Sequence, residues 1–109
     1  MHELGITQEV IAIVSEHARG ATVSRVVLEI RKLSAVLPDA VRFCFDLCSQ
    51  DTVAQGAKLE IIETPGLARC RECGASVILQ QVFSRCACGS TDLEWLAGEE
   101  LKVKEIEVA

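Results

Sequence analysis

The stretch Val23-Ser24-Arg25-Val26-Val27-Leu28-Glu29-Ile30-Arg31 reads as a strand: Val26, Leu28 and Ile30 fall on one face, and Arg25, Val27, Glu29 and Arg31 on the other. One face is set for burial, so something must cover it. The segment before it supplies one cover. From Leu4 to Ala18, Ile6, Val10, Ile13, Val14 and His17 recur at helical spacing, with Thr7, Glu9 and Glu16 on the polar side. Arg19-Gly20 then gives a basic last turn and a glycine stop. The segment after the strand supplies a second cover. Pro38 suits a first helical position and Asp39 a first turn; Val41, Phe45 and Cys48, flanked by Cys44 and Leu47, form an apolar stripe running to about Gln50.

Two more alternating stretches follow. Lys58 to Glu63 places Leu59 and Ile61 on one face, and Thr64-Pro65-Gly66 ends it as a turn. From Glu99 to Val108, Leu101 and Val103 point inward and Lys102 and Lys104 outward. The phase then changes at Lys104-Glu105, because Ile106 and Val108 are the next apolar pair, so a bulge is expected there. The fold class is therefore α+β. Residues 1–64 and 98–109 give a small three-stranded sheet with two helices on one face, and residues 67–96 form an insertion.

Composition agrees with one compact unit. The chain has 109 residues, half of them apolar and a quarter charged. Phe43, Phe45, Phe83 and Trp95 are its four aromatic residues, so the core must be aliphatic. No apolar run approaches the ~20 residues of a membrane span, and Met1-His2-Glu3 lacks the basic start of a signal peptide; a cytoplasmic protein without a membrane partner is expected. The formal charge of −5 argues against a nucleic-acid partner held by phosphate neutralisation.

Six cysteines are many for this length, and Cys70, Cys73, Cys86 and Cys88 fall within one short window. Cys70-Arg71-Glu72-Cys73-Gly74 lets two sulfurs face one ion, while the glycine permits a left-handed turn that aims amides at them. Cys86-Ala87-Cys88-Gly89 repeats this one residue shorter. Four thiolates suit structural Zn(II) and leave no open position for substrate. A redox pair and an iron–sulfur centre are the weaker readings, since no βαβ context places Cys70 at a helix start. Cys44 and Cys48, one helical turn apart, read as small core hydrophobes.

At the other end, a free α-amine with the amide and imidazole of His2 can form adjacent chelate rings of the nitrogen-rich kind preferred by Ni(II) or Cu(II). Glu3 could add an oxygen, and the bulky His2 should spare Met1 from trimming. On these three residues alone, an exposed terminal histidine is the simpler reading. His17, near a helix C-terminus, suits the dipole, and its place on the apolar side suggests partial burial.

Together these features resemble the HypA/HybF family of nickel metallochaperones. The carrying residues are Met1-His2-Glu3-Leu4, Ser15-Glu16-His17-Ala18, Arg25 to Ile30, Leu33-Ser34 with Pro38-Asp39-Ala40, Phe43 and Phe45, the four clustered cysteines with Gly89-Ser90, and Leu101 to Glu107. The resemblance spans essentially the whole chain. It implies a non-enzymatic carrier of Ni(II) cargo with His2 as principal ligand, Met1 and Glu3 completing the site, and a structural zinc on Cys70, Cys73, Cys86 and Cys88. It further implies a HypB-type GTPase partner, delivery to the [NiFe]-hydrogenase large subunit during maturation, and in some organisms service to urease maturation proteins. The shortened Cys86-Ala87-Cys88 departs from the family pattern, and Val36-Leu37 stand where some members carry an acid. The competing readings are a zinc-ribbon module binding protein or nucleic acid through Arg69, Arg71, Arg85, Phe83 and Trp95, and a thiol–disulfide enzyme with a reactive Cys70.

Overall fold

The computed structural model describes residues 2–32, 34, 36–80, 83–96 and 101–109, without the side chain of His2. Its elements run α1 (His2–Ala18), β1 (Val23–Arg31), α2 (Pro38–Cys48), β2 (Lys58–Thr64), β3 (Gly66–Cys70), β4 (Ser76–Leu79), β5 (Leu93–Trp95) and β6 (Leu101–Val108). They build two three-stranded sheets, ordered β2-β1-β6 and β4-β3-β5.

β1 is the central strand of the first sheet. It pairs parallel with β2, the two joined through α2, and antiparallel with β6. Register explains the burial: Val26 lies opposite Leu59 and Ile106, and Leu28 opposite Ile61 and Val103, so one face is apolar across all three strands. Val26, Leu28 and Ile30 are buried there with Val10, Val14, Val41 and Phe45 from the two helices. The expected bulge is present. Val27 opposes Glu105 while Leu28 opposes Val103, leaving Lys104 as the extra residue.

The helix faces differ from the expected ones in detail. The buried stripe of α1 is Thr7, Val10, Ile11, Val14 and Ala18. Thr7, expected on the polar side, is fully buried, because its hydroxyl donates to the Glu3 carbonyl at 2.6 Å and its methyl is left to pack. Ile13 is 43% exposed and His17 is exposed, so the stripe is rotated away from both. Arg19 (φ 50°) and Gly20 (φ 87°) then turn the chain out of the helix. In α2, Pro38 stands in the first turn and Val41, Cys44 and Phe45 are buried, whereas Leu47 and Phe43 face out at 52% and 64% exposure.

The insertion carries its own sheet, which periodicity did not reveal. β2 ends at Thr64 and β3 begins at Gly66, so Thr64-Pro65-Gly66 passes from one strand into the next instead of closing a turn. β3 pairs antiparallel with β4 and β5, and Ala68, Cys70 and Leu79 are buried along it. The expected start of the last strand at Glu99, like the boundary of the insertion at residue 98, lies outside the described residues.

Candidate metal centres

Cys70 ends β3, and Cys73 follows in the tight turn that leads back into β4. The Gly74 amide donates to the Cys70 carbonyl at 2.9 Å, which closes the turn, and Gly74 has φ 77°. A Cβ at that φ would be strained, hence glycine. The Cys73 amide is thereby brought within 3.5 Å of Cys70 Sγ. The second pair uses the same device in less chain. The Gly89 amide donates to the Cys86 carbonyl at 2.8 Å with Gly89 at φ 96°, and the Cys86 amide donates to the Ser90 carbonyl at 2.9 Å.

These two turns face each other. The four Sγ atoms all lie within 4.8 Å of one another, with Cys70 and Cys88 at 3.7 Å and Cys73 and Cys86 at 3.5 Å. Four sulfurs around one ion at zinc–thiolate length would stand about 3.8 Å apart on tetrahedron edges. The donor set and the separations fit one such ion. The missing residue in Cys86-Ala87-Cys88 therefore costs the cluster no ligand. Cys70 is prepared for thiolate chemistry: the Cys73 amide above all, opposed by burial and aided by the Glu72 amide, brings its pKa down to about 6. Each turn contributes one buried cysteine, Cys70 or Cys86, and one exposed cysteine, Cys73 or Cys88.

The other predicted site residues stand apart from this cluster. His2 is the first residue of α1 and Glu3 lies in its first turn, half-buried. Met1 and the His2 imidazole lie outside the described residues. The first amides of a helix have no acceptor within it, so those of His2 and Glu3 are not committed to the helix ladder. His17 turns its Nδ1 back to the Ile13 carbonyl at 2.9 Å, on the exposed side of α1. Cys44 and Cys48 remain in the α2 core contact; burial, then the neighbouring Cys44, pushes the Cys48 thiol up, the opposite of a reactive cysteine. Among the described residues, Cys70, Cys73, Cys86 and Cys88 are the one cluster of metal-ligating side chains.

Sequence reasoning missed a second notable group. Arg25 on the open face of the first sheet reaches Glu60 on β2 and both Glu105 and Glu107 on β6. Its signal was the acid content of the strands flanking Arg25, visible only once register is known.

Comparison with known proteins follows this geometry. Residues 1–108 match the family described as "Hydrogenase/urease nickel incorporation, metallochaperone, hypA". The hydrogenase maturation factor HypA of Trichormus variabilis is 64% identical over 108 residues, spanning 99% of this chain and 96% of the relative. That of Geotalea uraniireducens is 48% identical over 109 residues, spanning 99% of each. The solution structure of the Ni metallochaperone HypA from Helicobacter pylori superposes with a TM-score of 0.73, covering 97% of this chain and 96% of that one. At 23% identity that last likeness speaks for the fold.

Proposed function

This chain belongs to the HypA family of hydrogenase/urease nickel-incorporation metallochaperones, and from that premise we propose that it carries Ni(II) at its own N-terminus for transfer to the [NiFe]-hydrogenase large subunit. The Met1 amine, the His2 amide and imidazole and a Glu3 donor hold the cargo. The observation that carries this reading is the placement of His2 and Glu3 in the first turn of α1. Amides there can give up a proton to nickel without breaking a helical hydrogen bond. The buried Thr7 holds the Glu3 carbonyl, so the turn behind the site is fixed while its end stays open. The site is modest and lies at the exposed end of the chain, which suits a carrier that must release what it binds.

Residues 1–64 with 98–109 act as the nickel-binding domain and residues 67–96 as a zinc-binding subdomain. Zn(II) on Cys70, Cys73, Cys86 and Cys88 supplies folding energy there and no reaction, because four thiolates fill its tetrahedron. The family is one of metallochaperones, and in keeping with that the chain acts as a carrier and not as an enzyme. Energy for transfer comes from a HypB-type GTPase, and urease maturation proteins are a second class of client. The transfer takes place in the cytoplasm.

The test is calorimetric titration of Ni(II) into zinc-loaded protein with an authentic N-terminus, beside His2→Ala and a form extended by one residue before Met1. One nickel per chain in the authentic protein alone supports the reading. Equal binding by all three places nickel elsewhere and overturns the terminal chelate. No binding by any favours an interaction module built on the zinc subdomain, where Phe83 and Trp95 stand 89% and 50% exposed.

A further inference from the structure

Arg25 and Arg31 fall on the same, open face of β1, yet their surroundings differ. Arg25 is held by three carboxylates, those of Glu60, Glu105 and Glu107. Arg31 is half-buried and pairs with no carboxylate among the described residues. Its Nη1 donates to the Pro65 carbonyl at 3.3 Å. A guanidinium carries five N–H donors in a fixed fork, so most of this one remains available to a ligand.

Arg31 lines a cavity of about 330 Å³ together with Glu29, Thr64 and Lys102. Register makes these four residues two opposed pairs: Arg31 beside Thr64 of β2, and Glu29 beside Lys102 of β6. The cavity therefore lies at the carboxyl ends of the parallel strands β1 and β2, the place where open α/β sheets take their ligands. Lys102 Nζ stands 3.4 Å from Glu29 Oε2, so those two charges offset each other. The charge left over on the wall is the positive one of Arg31. Two cations against one carboxylate also exclude a metal ion as the occupant.

We propose that this cavity binds a small hydroxylated oxyanion, an organic acid or phosphate ester that carries at least one hydroxyl group. The fork of Arg31 matches two oxygens of a carboxylate or a phosphate. The Thr64 hydroxyl and the Lys102 ammonium add donors from the strands on either side. Glu29 supplies the selection: a carboxylate in the wall repels a bare anion but accepts a hydrogen bond from a hydroxyl. The volume stands at the small end of ligand sites, which limits the ligand to a few carbons beyond its charged group.

Binding here reaches the link between the two sheets. Thr64 ends β2, and Pro65 leads into β3. The arginine that takes the charged group also holds the Pro65 carbonyl. One residue on, the Lys32 amide donates to the Thr64 carbonyl at 2.7 Å, and Lys32 Nζ reaches Gln80 Oε1 at 3.4 Å. A ligand on Arg31 and Thr64 therefore steadies the passage from the first sheet to the one that carries the cysteines. None of the four lining residues belongs to the cysteine cluster or to the N-terminus, so this binding is independent of the nickel reading.

Amide chemical shifts of isotope-labelled, zinc-loaded full-length protein test this, with titrations at pH 7 and constant ionic strength up to about 10 mM ligand. The probes are malate, glycerol 3-phosphate and succinate, which is malate without its hydroxyl. Malate or glycerol 3-phosphate should bind with a Kd of about 1 mM or tighter, shifting residues 29–31, 64, 66 and 102. Whichever of the two binds more tightly identifies the charged group. Succinate should bind at least about threefold more weakly than malate, and Glu29→Ala should erase that preference. Arg31→Met removes a charge-assisted contact and should weaken binding at least about tenfold. Arg31→Lys keeps the charge and loses the fork, so it should also weaken binding. Circular dichroism checks that each variant is folded, and Arg31→Lys serves if Arg31→Met is not. Absence of shifts at these residues with both hydroxylated probes overturns the proposal. So does binding that both Arg31 variants leave intact, or succinate binding as tightly as malate.

Discussion

Arg25 grips Glu60 with two parallel hydrogen bonds, Nε to Oε1 and Nη2 to Oε2, each 2.9 Å long. Its remaining Nη1 donates to Glu105 at 3.0 Å and Glu107 at 2.8 Å, so one guanidinium clips all three strands of the sheet. Hydrogen bonding from Arg25 holds the Glu60 carboxyl below its ordinary 4.5 despite partial desolvation.

The sign of the resulting pH dependence is fixed. A carboxylate whose folded pKa is lowered stabilises the fold fully above its ordinary value, and that share is lost as pH falls through the folded one. In Arg25→Met, Glu60, Glu105 and Glu107 face one another without the clip. The urea midpoint should then be lower at neutral pH, and should hold steady or rise, not fall, on acidification just below about 4.5. Urea melts across that range read the difference. Identical slopes for variant and wild type would show that the clip carries no stability.

Removal of the clustered-cysteine metal should be a local event. Trp95 is the single tryptophan and lies in β5, opposite Ala68, while the core of the first sheet contains none of the four ligands. Chelation at neutral pH should shift Trp95 fluorescence and open residues 66–96 to protease, with the helical far-UV signal retained. Loss of both signals together would mean that the two sheets fold as one unit.

Leu28 is fully buried between the two helices and the flanking strands. Leu28→Ala should cost about 2–5 kcal/mol, a large share of the ~5–15 kcal/mol that holds a domain folded. Thermal unfolding measures it, and zinc content should be unchanged in protein that remains folded.

Thr7→Val removes the hydroxyl bound to the Glu3 carbonyl while keeping the volume. The expected loss is about 1 kcal/mol, with nickel stoichiometry unaltered because no donor atom is touched. Calorimetry and thermal melts on one preparation separate the two effects. A loss of nickel would make Thr7 part of the cargo site.

Much of this was legible in the chain. Alternation found β1, β2 and β6, and the phase change at Lys104 located the bulge, because a half-buried strand must keep its apolar side chains on one face. The cysteine spacing located the cluster. The rotation of α1 was not legible: a threonine counts as polar until its hydroxyl is seen bonded to its own helix, and then its methyl belongs in the core. β3, β4 and β5 escaped because they are short and one ends in a ligand, so metal geometry and register stand in for hydrophobic periodicity there. His2 carried meaning only in company with the rest of the chain.

The two turns around the cysteine cluster each carry one exposed cysteine and one buried one. Attack on the cluster is therefore ordered. A chelator, an oxidant or an alkylating agent arriving from solvent meets Cys73 and Cys88, on separate turns, before it can reach Cys70 or Cys86. If the cluster holds an ion, Cys70 and Cys86 would supply its two sheltered ligands, one from each turn, and so would keep both loops tethered to it after the outer pair is modified.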